Sequence, residues 1–238
     1  PPMSARRQRQ MCIRDRDGLV LKMPAALSFE SAAPVCTFLA AWNFVVALGH
    51  IESGQKILIN GASGAVGSSA VQIARALGAE VTGVCSTKNM ELVKSLGAHY
   101  VIDYTYNDFT QNGEQYDLIF DVANKCPFRD CKHSLKRRGI YLNPVLQVSV
   151  LIQMYWTRLF SKRKVMFSAT GLQSVSKRKA FLKELVKLFD NEKLKTIIDK
   201  RYSLHEVSEA HRYIESGNRS GNVAVSYTHL TLPTSTHG

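Results

Sequence analysis

Gly61, Gly64 and Gly67 stand three residues apart in the segment GASGAVG, and that spacing suits chemistry on a phosphate. A residue without Cβ allows a tight turn, close approach of backbone to an anion, and close packing of the following helix on the strand before it. The unpaired N–H groups of the first helical turn then point at the anion. The implied ligand is a dinucleotide pyrophosphate, held by Gly61, Ser63, Gly64, Ala65, Val66 and Gly67. The pattern is GxxGxxG rather than GxGxxG, so it gains meaning only from its surroundings. A turn whose glycines serve packing alone is one alternative. A hydrolase is another, since Gly61-Ala62-Ser63-Gly64-Ala65 misses the GxSxG nucleophile elbow at Ala65 alone.

The surroundings supply a strand, a turn and a helix. Ile57-Leu58-Ile59 precedes the glycines, and Val66, Ser69, Ala70, Ile73, Ala74 and Leu77 repeat at the three and four spacing of a helix that faces a sheet. A strand at residues 80–85 and a helix at 89–96 complete a βαβ unit. Strand patterns recur at 100–103, 116–121, 139–143 and 164–168 with mostly helical patterns between them. This alternation predicts an α/β fold, a doubly wound parallel (Rossmann) sheet with helices on both faces. Beyond it the pattern predicts a helix over 176–191, a short strand near 196–202, a helix over 204–216 and a last strand from Asn222. Residues 145–160 are the most apolar stretch and predict a buried or interface helix, with membrane-surface association as the lesser reading.

The end of the second strand bears on which dinucleotide is bound. An NAD-binding chain usually places Asp or Glu there, on the ribose 2′-hydroxyl. This chain has Cys85-Ser86-Thr87-Lys88. Ser86 can donate to a 2′-phosphate and Lys88 adds a positive charge, which favours NADPH over NADH. Lys88 also opens a helix, where a cation opposes the dipole unless a phosphate is bound. The alternative is a solvated surface lysine.

Both ends of the chain read as foreign. Residues 11–15 translate back to ATG TGT ATA AGA GAC and residues 225–229 to its reverse complement, GTC TCT TAT ACA CAT, so residues 1–16 and 225–238 are expected to be adapter-derived and non-native. The five arginines and one aspartate of positions 1–16 account for part of the formal charge of +12. The remaining basic excess is diffuse and lacks interleaved aromatics, so a solvated face is expected rather than a nucleic-acid site. Cys36, Cys85, Cys126 and Cys131 form no CxxC pair, which suggests reduced thiols. No run reaches the roughly 18 apolar residues of a membrane span, so none is expected.

Longer segments carry a family resemblance. They are LSFESAAP (27–34) leading to Trp42, GQKILINGASGAVGSSAVQIARALGAEVTGV (54–84), LGAHYVIDY (96–104), YDLIFDV (116–122) and IDKRYSLHEVSEAHRYIESGNRSGNV (198–223). With them the chain resembles a zinc-independent quinone oxidoreductase of the medium-chain dehydrogenase/reductase superfamily.

That resemblance implies a truncated chain whose N-terminal GroES-like substrate domain is missing. Residues 17–55 would then lead into a dinucleotide-binding domain at 56–224, its last strand returning toward the absent domain. It also implies transfer of hydride from NADPH to a quinone or α,β-unsaturated carbonyl, and no zinc; the reduced thiols suggest a cytoplasmic location, and a homodimer is the possible assembly. Tyr104 would join the adenosine phosphate site, although a core or turn tyrosine is the competing reading. The nicotinamide would meet the loops after the fourth, fifth and sixth strands, at Ala123-Asn124, Asn143-Pro144 and 169–171, consistent with crevice binding in open α/β sheets. Asn124 either bonds the cofactor or caps a turn. Cys36 falls near a ligand cysteine of zinc-dependent relatives, but one thiol makes no zinc site. No residue is assigned as catalytic. The alternatives are a zinc-dependent alcohol dehydrogenase relative and a non-catalytic nucleotide- or RNA-binding protein.

Overall fold

The computed structural model describes residues 27–217 and 219–226, so the segment 1–16 and residues 227–238 lie outside the described residues. Val35–Trp42 forms helix α1, which runs on as a π-helical stretch Asn43–Leu48. The alternating elements follow: β1 Lys56–Asn60, α2 Ala65–Ala76, β2 Glu80–Cys85, α3 Met90–Ser95, β3 Tyr100–Asp103, β4 Tyr116–Asp121, β5 Leu135–Leu142, α4 Val148–Phe160, β6 Lys164–Met166 and α5 Val175–Asp190. Three further elements are β7 Ile198–Ser203, α6 Val207–Glu215 and β8 Asn222–Ser226. β8 thus extends two residues into the stretch expected to be adapter-derived.

The main sheet has six strands in the order β3-β2-β1-β4-β5-β6, and every neighbouring pair is parallel. This is the doubly wound arrangement expected from the sequence, with the strand order reversing between β1 and β4. The two faces follow from the period of two along each strand. Ile57, Ile59, Leu118 and Phe120 enter one core with Phe38, Ala70, Val93 and Phe189 of the helices. Leu58, Ile119 and Tyr141 enter the other with Phe109, Cys131 and Val150. Burial on both faces explains why the central strands read as apolar runs rather than as alternating patterns. β7 and β8 form a separate parallel pair.

Two expectations change. The stretch Glu30–Leu48 is long and apolar enough, by length and composition, to cross a bilayer, contrary to the sequence estimate. Here Phe38, Ala41, Trp42, Phe44 and Val45 are buried in the core, and the Phe44 ring stacks on Phe120 at 5.1 Å. α4 departs the other way. Only Val150 and Thr157 of its thirteen residues are buried, while Val148, Ile152, Tyr155, Trp156 and Phe160 are exposed. Its apolar composition therefore does not report burial, because β6 at the sheet edge covers one side of the helix alone.

Candidate functional site

The carboxyl ends of the six strands open onto one crevice, and β1 and β4 at its centre form the switch point where open α/β sheets take their ligands. The glycine turn sits there. Gly61 adopts φ +86°, which favours glycine, and its N–H and that of Ala62 both donate to Val84 O, at 3.1 and 3.0 Å. That bond fixes the turn against the end of β2. Gly67 is required by packing, since a Cβ there would lie 2.0 Å from Gly61 O. Gly64 differs. Its φ is −72°, and a Cβ would meet nothing nearer than Gly61 O at 3.5 Å. It is the N-cap residue of α2 and makes no side-chain cap hydrogen bond, and its backbone forms an isolated parallel bridge with Gly221.

At the end of β2, Ser86 is half-buried and Lys88 exposed. Tyr104 N donates to Cys85 O at 3.1 Å, which brings the exposed Tyr104 beside the same strand end. Asp103 accepts from the Thr87 hydroxyl and from Thr105 N at 2.9 Å and Oγ1 at 2.7 Å. Those bonds, Thr87 first, lower its pKa. Burial, helped by the Asp103 charge, pushes the Cys85 thiol up to about 11.

The opposite side of the crevice is a side-chain network. Asp121 is fully buried, and its Oδ1 accepts from Asn60 Nδ2 at 2.8 Å while its Oδ2 accepts from Cys126 N at 3.0 Å and Tyr141 OH at 3.2 Å. Burial raises the Asp121 pKa, and the hydrogen bonds oppose it. Burial and the Asp121 charge also raise the pKa of Tyr141. Asn143 Nδ2 donates to Asn124 Oδ1 at 2.9 Å and to Tyr141 OH at 3.3 Å, joining the loops after β4 and β5. Asn124 has φ +53°, a conformation that Asn tolerates better than most residues, so it makes a turn. Its carbonyl oxygen is also engaged by Asn143.

Sequence reasoning missed four residues. Asn43 is fully buried at the start of the π-helical stretch, where its Nδ2 donates to Ser168 Oγ at 3.2 Å and Thr170 Oγ1 at 3.1 Å. Its Oδ1 has no hydrogen-bond partner among the described residues. The others are Asp121, which bonds Asn60 at the end of β1, and Asn89 and Ser220, which bond each other beside the glycine turn. Asn43 and Ser220 carried no signal in the sequence, because their partners lie more than a hundred residues away. The hydrolase reading gains no support, because Ser63 Oγ receives the Asn89 amide rather than an imidazole.

No group of three His, Cys, Asp or Glu side chains able to hold a metal ion occurs among the described residues, and Cys36 is exposed.

Comparison with known proteins adds to this picture. Residues 96–225 match the family model described as zinc-binding dehydrogenase. The chain is 33% identical, over 72% of its length, to a chloroplastic quinone-oxidoreductase of Triphysaria versicolor, and 30% identical, over 85% of its length, to a mitochondrial NAD(P)H oxidoreductase of Mus musculus. It spans 52% and 57% of those relatives. The crystal structure of CurK enoyl reductase superposes with a TM-score of 0.75 at 24% identity, covering 87% of this chain and 65% of that one. The cytoplasmic expectation is overturned, since these relatives are named as chloroplastic and mitochondrial proteins.

Proposed function

The chain belongs to the zinc-binding dehydrogenase family, and from that premise we propose that it is the cofactor-binding part of an NADPH-dependent reductase acting on a quinone or an activated α,β-unsaturated carbonyl, without a metal. The observation that carries this reading is Gly64. The fold itself explains Gly61 and Gly67, whereas a Cβ at Gly64 would be accommodated by the protein and would fill the space in front of the α2 N-terminus. A pyrophosphate is what that space suits, held by the N–H groups of Ala65, Val66 and Gly67 and by the helix dipole.

Around that anchor, Ser86 and Lys88 address a ribose 2′-phosphate, and Tyr104 flanks it. Across the sheet, the buried Asn43 ties the π-helical stretch to Ser168 and Thr170, beside the loop that would border the nicotinamide. Asn143, locked by Asn124, Tyr141 and the Val145 N–H, holds the loop that would border the ring. When bound, the nicotinamide supplies the hydride. These residues bind, orient and exclude water, and none is assigned as proton donor.

The test is titration of the folded chain and of Lys88→Ala with NADPH and NADH, read by nicotinamide fluorescence. NADPH is expected to bind more tightly, and Lys88→Ala to weaken NADPH by about tenfold or more while leaving NADH nearly unchanged. Equal affinity for the two, or binding of neither, sinks the assignment.

A further inference from the structure

Asn89 is buried, and it touches three separate segments through one amide. Its Nδ2 donates to Ser63 Oγ in the glycine turn at 3.1 Å and to Ser86 Oγ after β2 at 3.2 Å. Its Oδ1 accepts from Ser220 Oγ at 2.6 Å, on the segment that enters β8. An amide nitrogen carries two hydrogens, and here each goes to a serine oxygen. A hydroxyl oxygen that accepts such a bond must direct its own hydrogen elsewhere. Ser63 and Ser86 are both half-buried, and neither hydroxyl donates to another described residue, so both hydrogens are left for a ligand.

We propose that Asn89 is a positioning residue that fixes the direction of both hydroxyl hydrogens, so that Ser63 donates to the pyrophosphate and Ser86 to the 2′-phosphate of the bound dinucleotide. This rests on the NADPH reading above. The amide works only one way round. Reversed, it would offer its oxygen to both serines and draw their hydrogens inward, away from a phosphate. With the amide this way round, Ser220 donates to Oδ1 and closes the third side of the amide. The segment around Ser220 does not need that hydroxyl for its own placement, because Ser220 N donates to Asp199 Oδ2 at 3.0 Å and Gly221 bridges Gly64. Asn89 and Ser220 thereby couple the segment before β8 to both phosphate sites.

The experiment measures NADPH and NADH dissociation constants and thermal midpoints for the full chain, Asn89→Asp and Ser220→Ala. Asn89→Asp keeps the shape but makes every partner a donor to a carboxylate, turning both serine hydrogens inward and adding negative charge. NADPH affinity is expected to fall at least about tenfold and NADH affinity less, so that the preference for NADPH narrows. Ser220→Ala should weaken NADPH a few-fold, again more than NADH, with a midpoint close to that of the unaltered chain. Unchanged affinities in the folded variants overturn the proposal, and so does loss of both dinucleotides by the same factor, which is what a structural tie alone would give. If Asn89→Asp does not fold, Ser220→Ala decides by the same ratio. A folded unaltered chain that binds neither dinucleotide overturns the underlying reading and this inference together. An unaltered chain that prefers NADPH beside insensitive variants overturns this inference alone.

Discussion

The two sides of the crevice are built by different means. On the β1–β2 side, backbone sets the geometry: Gly61 turns at φ +86°, Gly67 passes Gly61 O with no room for a Cβ, and two N–H groups anchor on Val84 O. On the β4–β5 side, side chains set it, with Asp121, Asn60, Tyr141, Asn143 and Asn124 linked hydrogen bond to hydrogen bond. The first side comes from one short contiguous segment and a neighbouring strand end. The second depends on residues that meet only after the strands are in register. Their carboxylates differ accordingly. Asp103, on the first side, is held ionised by hydroxyl and backbone donors, whereas burial raises the pKa of Asp121 despite its four donors.

The contrast is sharpest at Gly67. Gly67→Ala is expected to cost about 3 kcal/mol or more, because the new Cβ meets backbone rather than a side chain that can turn away. An unfolding midpoint equal to that of the unaltered chain would show that this side yields as readily as a loop. Asp121→Asn is the counterpart across the crevice. It sets an amide N–H₂ against donors on Cys126 and Tyr141, and a loss of about 2 kcal/mol in urea unfolding is expected.

That second variant also carries a pH signature. A carboxylate whose folded pKa is raised contributes stability that is present below its unfolded value of about 3.9 and lost as pH rises through the folded value. The deficit of Asp121→Asn should therefore be largest at acid pH and shrink as pH rises; a deficit that grows instead would contradict the burial argument.

Gly64→Ala separates binding from folding on the first side. Its stability should stay within about 1 kcal/mol of the unaltered chain while NADPH binding is lost. Retained binding would remove the observation on which the proposed function stands. The smallest effect is expected from Asp103→Asn. Because the Asp103 pKa is lowered, its contribution is present above the unfolded value and lost as pH falls through the folded one, opposite in sign to Asp121. The variant should show a shallower loss of thermal midpoint on acidification, and an unchanged slope would dismiss the Thr87 and Thr105 bonds as electrostatically idle.

Legibility followed the same division. β2, β3 and β4 were readable to the residue, since apolar runs between glycine-rich turns specify a two-faced buried strand. β5 proved longer than its apolar part, because Leu135 pairs with Tyr116 across a shifted register that the charged stretch from Lys136 to Arg138 concealed. Asn124 was visible as a turn or ligand residue, and in the structure it sits at φ +53° with its Oδ1 accepting from Asn143. α4 was legible as a helix but not as an exposed one, because composition does not say which faces the sheet covers.

Sequence alone determined the parallel sheet, the glycine turn and its place before a helix, because those follow from local periodicity and from conformations that only certain residues adopt. Tertiary structure alone decided which glycines the packing requires and which it does not, that Asn43 keeps a buried oxygen without a partner among the described residues, and that Asn89 joins Ser63, Ser86 and Ser220. Hydrogen bonds between residues far apart in the chain leave no period in the sequence, and they exist only once the packed sheet has brought their ends together.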